Sequence, residues 1–284
     1  MGIGNNQVPP SVPEELDTRR PVAYREEAFL QSPDSRPLRI LSEYLWPLAH
    51  FHDERIHDTI VFFGSARIQE TGPLSRYYHE ARELARLTTK WAASITPKSA
   101  DDCDPLPPRR FVVCSGGGPG IMEAANRGAS DAGGKTIGLN IGLPFEQRPN
   151  SYITPELSFE FHYFFMRKFW FAYLAKALVV FPGGFGTLDE LSEILTLAQT
   201  KKLESKILIV LYGSDFWREI VNFDALVRYG MISEDDMNLF RFADSPQSAL
   251  QILKEGLTRY YLDPESTLQH PMEEAPEIAR TRTS

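Results

Sequence analysis

The sequence predicts an α/β protein, a single doubly wound Rossmann-like domain with a parallel sheet flanked by helices. Short apolar runs such as Thr59-Ile60-Val61-Phe62-Phe63 alternate with amphipathic stretches of helical length. That order calls for crossover connections and a sheet covered on both faces. Several of the runs also end in glycine turns that open the next helix, and no repeat at solenoid periods competes with the reading.

Taken in order, residues 1–56 read as an N-terminal arm and a leading helix. The first 35 residues are rich in proline and charge without sustained period, which predicts a mobile or loosely docked arm. Residues 37–57 predict a helix interrupted at Pro47. The core domain, 57–261, opens with the strand at 59–63 and a helix over 75–93, followed by a proline-rich insertion at 94–110. Strands are predicted at 111–114, 136–141, 158–161, 177–181, 206–211 and 239–242. Helices are predicted over 121–132, 163–176 and 188–200, then to Tyr229, and over 246–259. Residues 262–284 read as a peripheral tail.

Composition removes several function classes. With 30 basic against 38 acidic side chains, the chain carries a formal net charge of −8. A nucleic-acid backbone needs a basic face, so no nucleic-acid partner is expected. Cys103 and Cys114 form neither a disulfide framework nor a CxxC pair, which fits a reducing, cytoplasmic compartment. No uncharged apolar run reaches the length of a membrane helix, and no membrane association is expected. The six histidines form no HExxH pattern or full ligand set, and neither metal nor cofactor is expected.

The chemistry is expected at the carboxyl ends of the strands, where open parallel sheets bind ligands. Three turns there are rich in glycine: Gly64-Ser65, residues 115–120 (including Gly117 and Gly118), and residues 182–187 (including Gly183 and Gly184). Glycine admits close backbone approach, and each following helix directs unpaired N–H groups into the gap, so together they make a phosphate cradle. Two look-alike motifs fail. A GxGxxG fingerprint starting at Gly116 would need glycine at Ile121, so NAD binding is weakly supported. A Walker-like string at 129–136 ends a helix instead of starting one, and its Gly133-Gly134 reads as a helix stop.

Residues 166–168 (Met166, Arg167, Lys168) lie early on an aromatic helix, with nine aromatics between positions 159 and 173. Most of these rings read as core and subunit interface, which predicts a homodimer or a higher homo-oligomer. Thr187 and Glu190 fit a capping box, with Thr187 as N-cap. That local pattern favours a structural Glu190, kept ionised by the helix dipole. Beside a sugar, the same carboxylate stabilises a cationic centre or orients water.

The MRK triplet, PGGFGTLDE ending at Glu190, and SGGGPGIMEAANRGA together resemble the LOG ("lonely guy") family of nucleoside 5′-monophosphate phosphoribohydrolases, long mislabelled as possible lysine decarboxylases. The resemblance spans roughly residues 57–260, and LPFEQ at 143–147 is similar to its larger bacterial-type branch. It implies hydrolysis of the N-glycosidic bond of AMP or cytokinin riboside monophosphates to free base and ribose 5-phosphate. Arg167 and Glu190 match the family's catalytic pair. Glu146, Lys168, the loop through Gly184, Phe185, Gly186 and Thr187, and Thr196 match substrate-binding positions. Met166 and the turn residues Gly64, Ser65, Gly117, Gly118 and Gly183 join that candidate set. The alternative is a non-catalytic nucleotide or molybdenum-cofactor carrier of the same superfamily, which the presence of both Arg167 and Glu190 disfavours.

Overall fold

The computed structural model describes residues 22–96, 108–142, 148–203 and 205–263. Glu146, Cys103, most of the 94–110 insertion and nearly all of the tail lie outside the described residues. The chain divides into two compact units, Met1–Ser42 and Glu43–Ser284. In the first, a short helix α1 (Glu27–Gln31) forms within the expected arm. Its C-terminal carbonyls find donors in Ser35 Oγ, 2.6 Å from Leu30 O, and Arg39 Nη1, 2.7 Å from the same atom.

Helix α2 (Arg36–Asp53) runs through Pro47 without interruption, which corrects the expected break. Proline has no N–H for the carbonyl four residues back. That carbonyl, Glu43 O, instead accepts from the indole Nε1 of Trp170 at 2.9 Å. A side chain from another helix fills the gap, and the chain has no reason to turn there.

The sheet has seven parallel strands: β1 (Thr59–Phe63), β2 (Val112–Ser115), β3 (Thr136–Ile141), β4 (Ser158–Phe161), β5 (Ala175–Val180), β6 (Leu208–Tyr212) and β7 (Phe240–Ala243). Their order is β4-β3-β2-β1-β5-β6-β7. Between them run α3 (Ser75–Ile95), α4 (Ile121–Asp131), α5 (Phe164–Tyr173), α6 (Phe185–Gln199), α7 (Ser214–Ile220), α8 (Phe223–Arg228) and α9 (Pro246–Leu257). The single helix expected before Tyr229 is two, because Asn222 caps the second by accepting from Ala225 N at 2.9 Å. β5 starts two residues earlier than expected, through a register shift opposite Thr59 and Ile60.

Alternate residues of a strand face opposite sides of a sheet. Ile60 and Phe62 of β1 belong to a core with Tyr78, Leu84, Ile121 and Leu253, so α3, α4 and α9 cover one face. Phe63 meets Phe171 of α5 on the other, ring centroids 4.8 Å apart. At the amino end of β2, Phe111 takes a φ of +54°. Its N–H donates to the buried Asp58 carboxylate, which also accepts from Arg110 Nε at 2.5 Å. The glycine stop after α4 is present: Gly133 has a φ of +73°, and the Gly134 N–H reaches Ala129 O at 3.0 Å. Cys114 is a free, buried thiol whose pKa burial pushes up. Among the described residues no helix is long and apolar enough to cross a membrane, and no group of three His, Cys, Asp or Glu is placed to hold a metal.

Candidate functional site

The strand order reverses between β1 and β5, so the loops after these strands flank the switch point, where open α/β sheets bind ligands. Hydrogen bonds tie three glycine turns into one edge. Ser65 N donates to Pro182 O at 3.0 Å, and Ile121 N donates to Ser65 O at 3.2 Å. Gly117 has a φ of +71°, and a Cβ there would come within 2.5 Å of the Asn140 side chain. Both the conformation and the packing favour glycine there.

Helix α6 begins at Phe185, three residues before the expected start. Gly184 is therefore the N-cap, Thr187 is the third helical residue, and the expected capping box does not form. With no side-chain cap, the first-turn amides of Phe185, Gly186 and Thr187 have no intrahelical acceptor and carry the positive end of the dipole. Nothing lies within 4 Å of where a Cβ on Gly184 or Gly186 would sit. A Cβ on Gly183 would instead strike Thr187 Oγ1. Phe185 is 93% exposed.

Glu190 stands in the second turn of α6, deeper than a capping residue, and its side chain is 7% exposed. Burial pushes its carboxyl up to about 7, against the opposing pull of Arg167 and Lys168. The expectation that the dipole keeps Glu190 ionised is thus corrected: past the first turn the dipole fades, and desolvation decides. Arg167 Nη2 lies 3.4 Å from Glu190 Oε1. The guanidinium sits between the rings of Phe164 and Phe171, 5.4 and 5.5 Å from their centroids. Burial lowers the Arg167 pKa, and its Nε is buried with no acceptor among the described residues.

Lys168 turns to two other carboxylates, Asp189 Oδ2 at 2.8 Å and Glu193 Oε2 at 2.7 Å. Burial acts to lower its pKa, but these two hydrogen bonds outweigh it and raise the value. Thr196 lies six residues beyond Glu190 on α6 and donates to Ser192 O at 2.7 Å. With Lys168, Asp189, Ser192, Glu193 and Leu197 it lines an open groove of about 380 Å³. Met166 is buried in the first turn of α5. The fold therefore brings Arg167, Lys168 and Glu190 together and sets Gly64, Ser65, Gly117, Gly118, Gly183 and Gly184 along one sheet edge.

Sequence reasoning missed three supporting residues. Glu43 caps the start of α5, its carboxylate accepting from the N–H groups of His162 at 2.8 Å and Tyr163 at 3.2 Å. Asn126 and Asn150 brace the turn after β2. Asparagine beside Pro149 suggests a turn, but no local pattern signals Glu43, which lies more than a hundred residues from its partners.

Comparison with known proteins finds the following similarities. A family model described as possible lysine decarboxylase matches residues 122–253. The rice (Oryza sativa subsp. japonica) cytokinin riboside 5′-monophosphate phosphoribohydrolase LOG is 29% identical over 177 residues, covering 61% of this chain and 71% of that protein. The probable phosphoribohydrolase LOGL3 of the same plant is 28% identical over 214 residues, covering 72% and 86%. Among solved structures, a molybdenum cofactor binding protein from Rippkaea orientalis overlays with a TM-score of 0.46 at 16% identity, covering 70% of this chain and 96% of that one. The matched family model and the rice relatives point the same way: over these residues the chain is similar to the LOG phosphoribohydrolases.

Proposed function

We propose that the protein hydrolyses the N-glycosidic bond of nucleoside 5′-monophosphates, AMP or cytokinin riboside 5′-monophosphates, giving the free base and ribose 5-phosphate. The observation that carries the reading is the Arg167–Glu190 pair, 3.4 Å apart, one turn behind the uncapped amino end of α6. In this reading the 5′-phosphate docks on the first-turn amides of α6 and on the turns after β1 and β2. The ribose then lies over Glu190. As the C1′–N bond breaks, its electron pair leaves with the base and positive charge grows on the sugar. Ionised Glu190 stabilises that charge and takes a proton from the water whose oxygen bonds to C1′. A proton reaches the departing base, so the sum is nucleotide plus water. Arg167 holds Glu190 through Nη2.

The test is incubation of purified protein with AMP and chromatography for adenine and ribose 5-phosphate. Base release in the wild type, reduced at least a hundredfold in Glu190→Gln, supports the reading; tight AMP binding with no adenine refutes it. The same reading includes a homodimer. Phe164, Phe165 and Phe169 on α5 are exposed, as is Phe185 at the start of α6, and a second copy would cover them. Sedimentation showing only monomer at micromolar concentration would remove that part.

A further inference from the structure

Asn150 follows β3 and reaches back over the glycine turn after β2. Its Nδ2 lies 3.0 Å from Gly117 O, 3.0 Å from Gly118 O and 2.9 Å from Asn126 Oδ1. Its backbone N–H donates to Gly117 O at 2.8 Å, and its Oδ1 accepts from Tyr152 N at 3.2 Å. These partners fix which way the amide faces. Exchanging its nitrogen and oxygen would set an oxygen against three other oxygens.

Asn126 stands behind it, wholly buried, with all its polar capacity used. Its Nδ2 donates to Thr136 Oγ1 at 2.6 Å and to Ile137 O at 3.1 Å, and its Oδ1 accepts from Ser115 Oγ at 2.7 Å. Ser115 Oγ also receives the Gly117 N–H at 3.0 Å. A fully satisfied buried network of this kind holds one arrangement. It occupies the N–H and C=O of Gly117 and the C=O of Gly118. The Gly118 N–H is left, and it donates to no backbone carbonyl among the described residues. In a planar trans peptide the N–H points opposite to the C=O. With Gly117 O turned to Asn150, the Gly118 N–H points away from Asn150.

We propose that Asn150 is a positioning residue for the monophosphate: by gathering the Gly117 and Gly118 carbonyls to itself, it presents the Gly118 N–H to a phosphate oxygen. The inference rests on the nucleotide reading above. A glycine turn without this brace has wide backbone freedom and offers carbonyl oxygens to an anion as readily as amides. Asn150 selects the arrangement that attracts the anion.

Asn150→Asp keeps the shape and replaces the donor with an oxygen facing three acceptors. The expected result is a KM for AMP raised roughly tenfold to a hundredfold, the scale of one lost hydrogen bond to a charged group, with kcat within about threefold of wild type. Calorimetry with ribose 5-phosphate should show the same loss of affinity, and binding of free adenine should not change. Asn150→Ala, which removes the donor without adding an oxygen, should give a smaller rise in KM and covers the case in which the aspartate variant fails to fold. A folded variant with unchanged KM, or one that loses kcat at constant KM, overturns the positioning role while leaving the nucleotide reading intact. A wild type that neither binds nor cleaves AMP overturns both.

Discussion

Arg167 Nη2 lies 3.4 Å from Glu190 Oε1, and still the carboxyl is pushed up to about 7, because burial outweighs the neighbouring cation. A group in that position changes charge across the neutral range, where a surface glutamate would be fully ionised. The reaction proposed here uses the ionised form. Base release should therefore rise with pH through an inflection near 7, and a pH series of kcat/KM for AMP measures it. A falling limb at that pH would assign Glu190 to proton donation instead.

The same shift predicts a stability effect whose sign follows from linkage. The folded carboxyl binds its proton more tightly than the unfolded one. Below the ordinary carboxylate range both states are protonated and nothing is lost. As pH rises towards about 7, the unfolded state ionises freely and the folded state resists, so stability falls across that window. Glu190→Gln has no proton to lose. The difference in Tm, variant minus wild type, should grow between pH 4.5 and 7 and then level off. A difference flat with pH would contradict the burial-dominated shift.

Arg167→Ala should act on both halves of the pair. Arg167 opposes the upward push on Glu190, so its loss should move the activity inflection above 7. It should also reduce base release by about a hundredfold or more, the usual scale for a group acting directly on the transition state. Arg167→Lys keeps a charge but loses the fork, and is expected to fall between.

Gly183 and Gly184 separate folding from binding within one turn. A Cβ on Gly183 would meet Thr187 Oγ1, so Gly183→Ala should cost about 1–3 kcal/mol in denaturant unfolding. Gly184 has a φ of −95° and nothing within 4 Å of the added carbon. Gly184→Ala should fold with stability within about 1 kcal/mol of wild type, yet raise the KM for AMP, because the methyl enters the space above the α6 amides.

The contrast between these glycines also marks how far the sequence could be read. The strand at Thr59–Phe63 and those at Thr136–Ile141 and Ser158–Phe161 were legible to the residue, since hydrophobic runs bounded by turn residues leave little choice of register. The pairing of Arg167 with Glu190 came from the resemblance, and the fold realises it by packing α5 beside α6. The start of α6 was not legible. Thr187-x-x-Glu190 satisfies a local capping pattern, but Gly184 lets the helix begin earlier and draws both residues inside it. The upward push on the Glu190 carboxyl was hidden for the same reason: burial is a property of the assembled fold, whereas the dipole argument needs only the local sequence. Lys168 was expected among the substrate-binding positions, and its two carboxylate partners lie 21 and 25 residues away, beyond any local pattern.

The passage of α2 through Pro47 gives a last test, bearing on how α5 is held. Glu43 O lacks the helical N–H that residue 47 would supply, and Trp170 Nε1 takes its place at 2.9 Å. Trp170→Phe should leave that carbonyl without its donor, at about 1–3 kcal/mol in addition to lost ring contact. Pro47→Ala restores a backbone N–H four residues on. Alone it competes with the indole for one oxygen and should recover only part of the roughly 3 kcal/mol that proline costs a helix interior. In the Trp170→Phe background it supplies the missing donor and should gain more. The change in ring size occurs in both backgrounds and cancels, so a double-mutant cycle isolates the exchange, with an expected coupling of about 1 kcal/mol. Additivity within about 0.3 kcal/mol would show that the indole does not replace the missing amide. Because Trp170 lies one turn beyond Arg167 on α5, the single variant should lose base release along with stability, and Pro47→Ala should restore both.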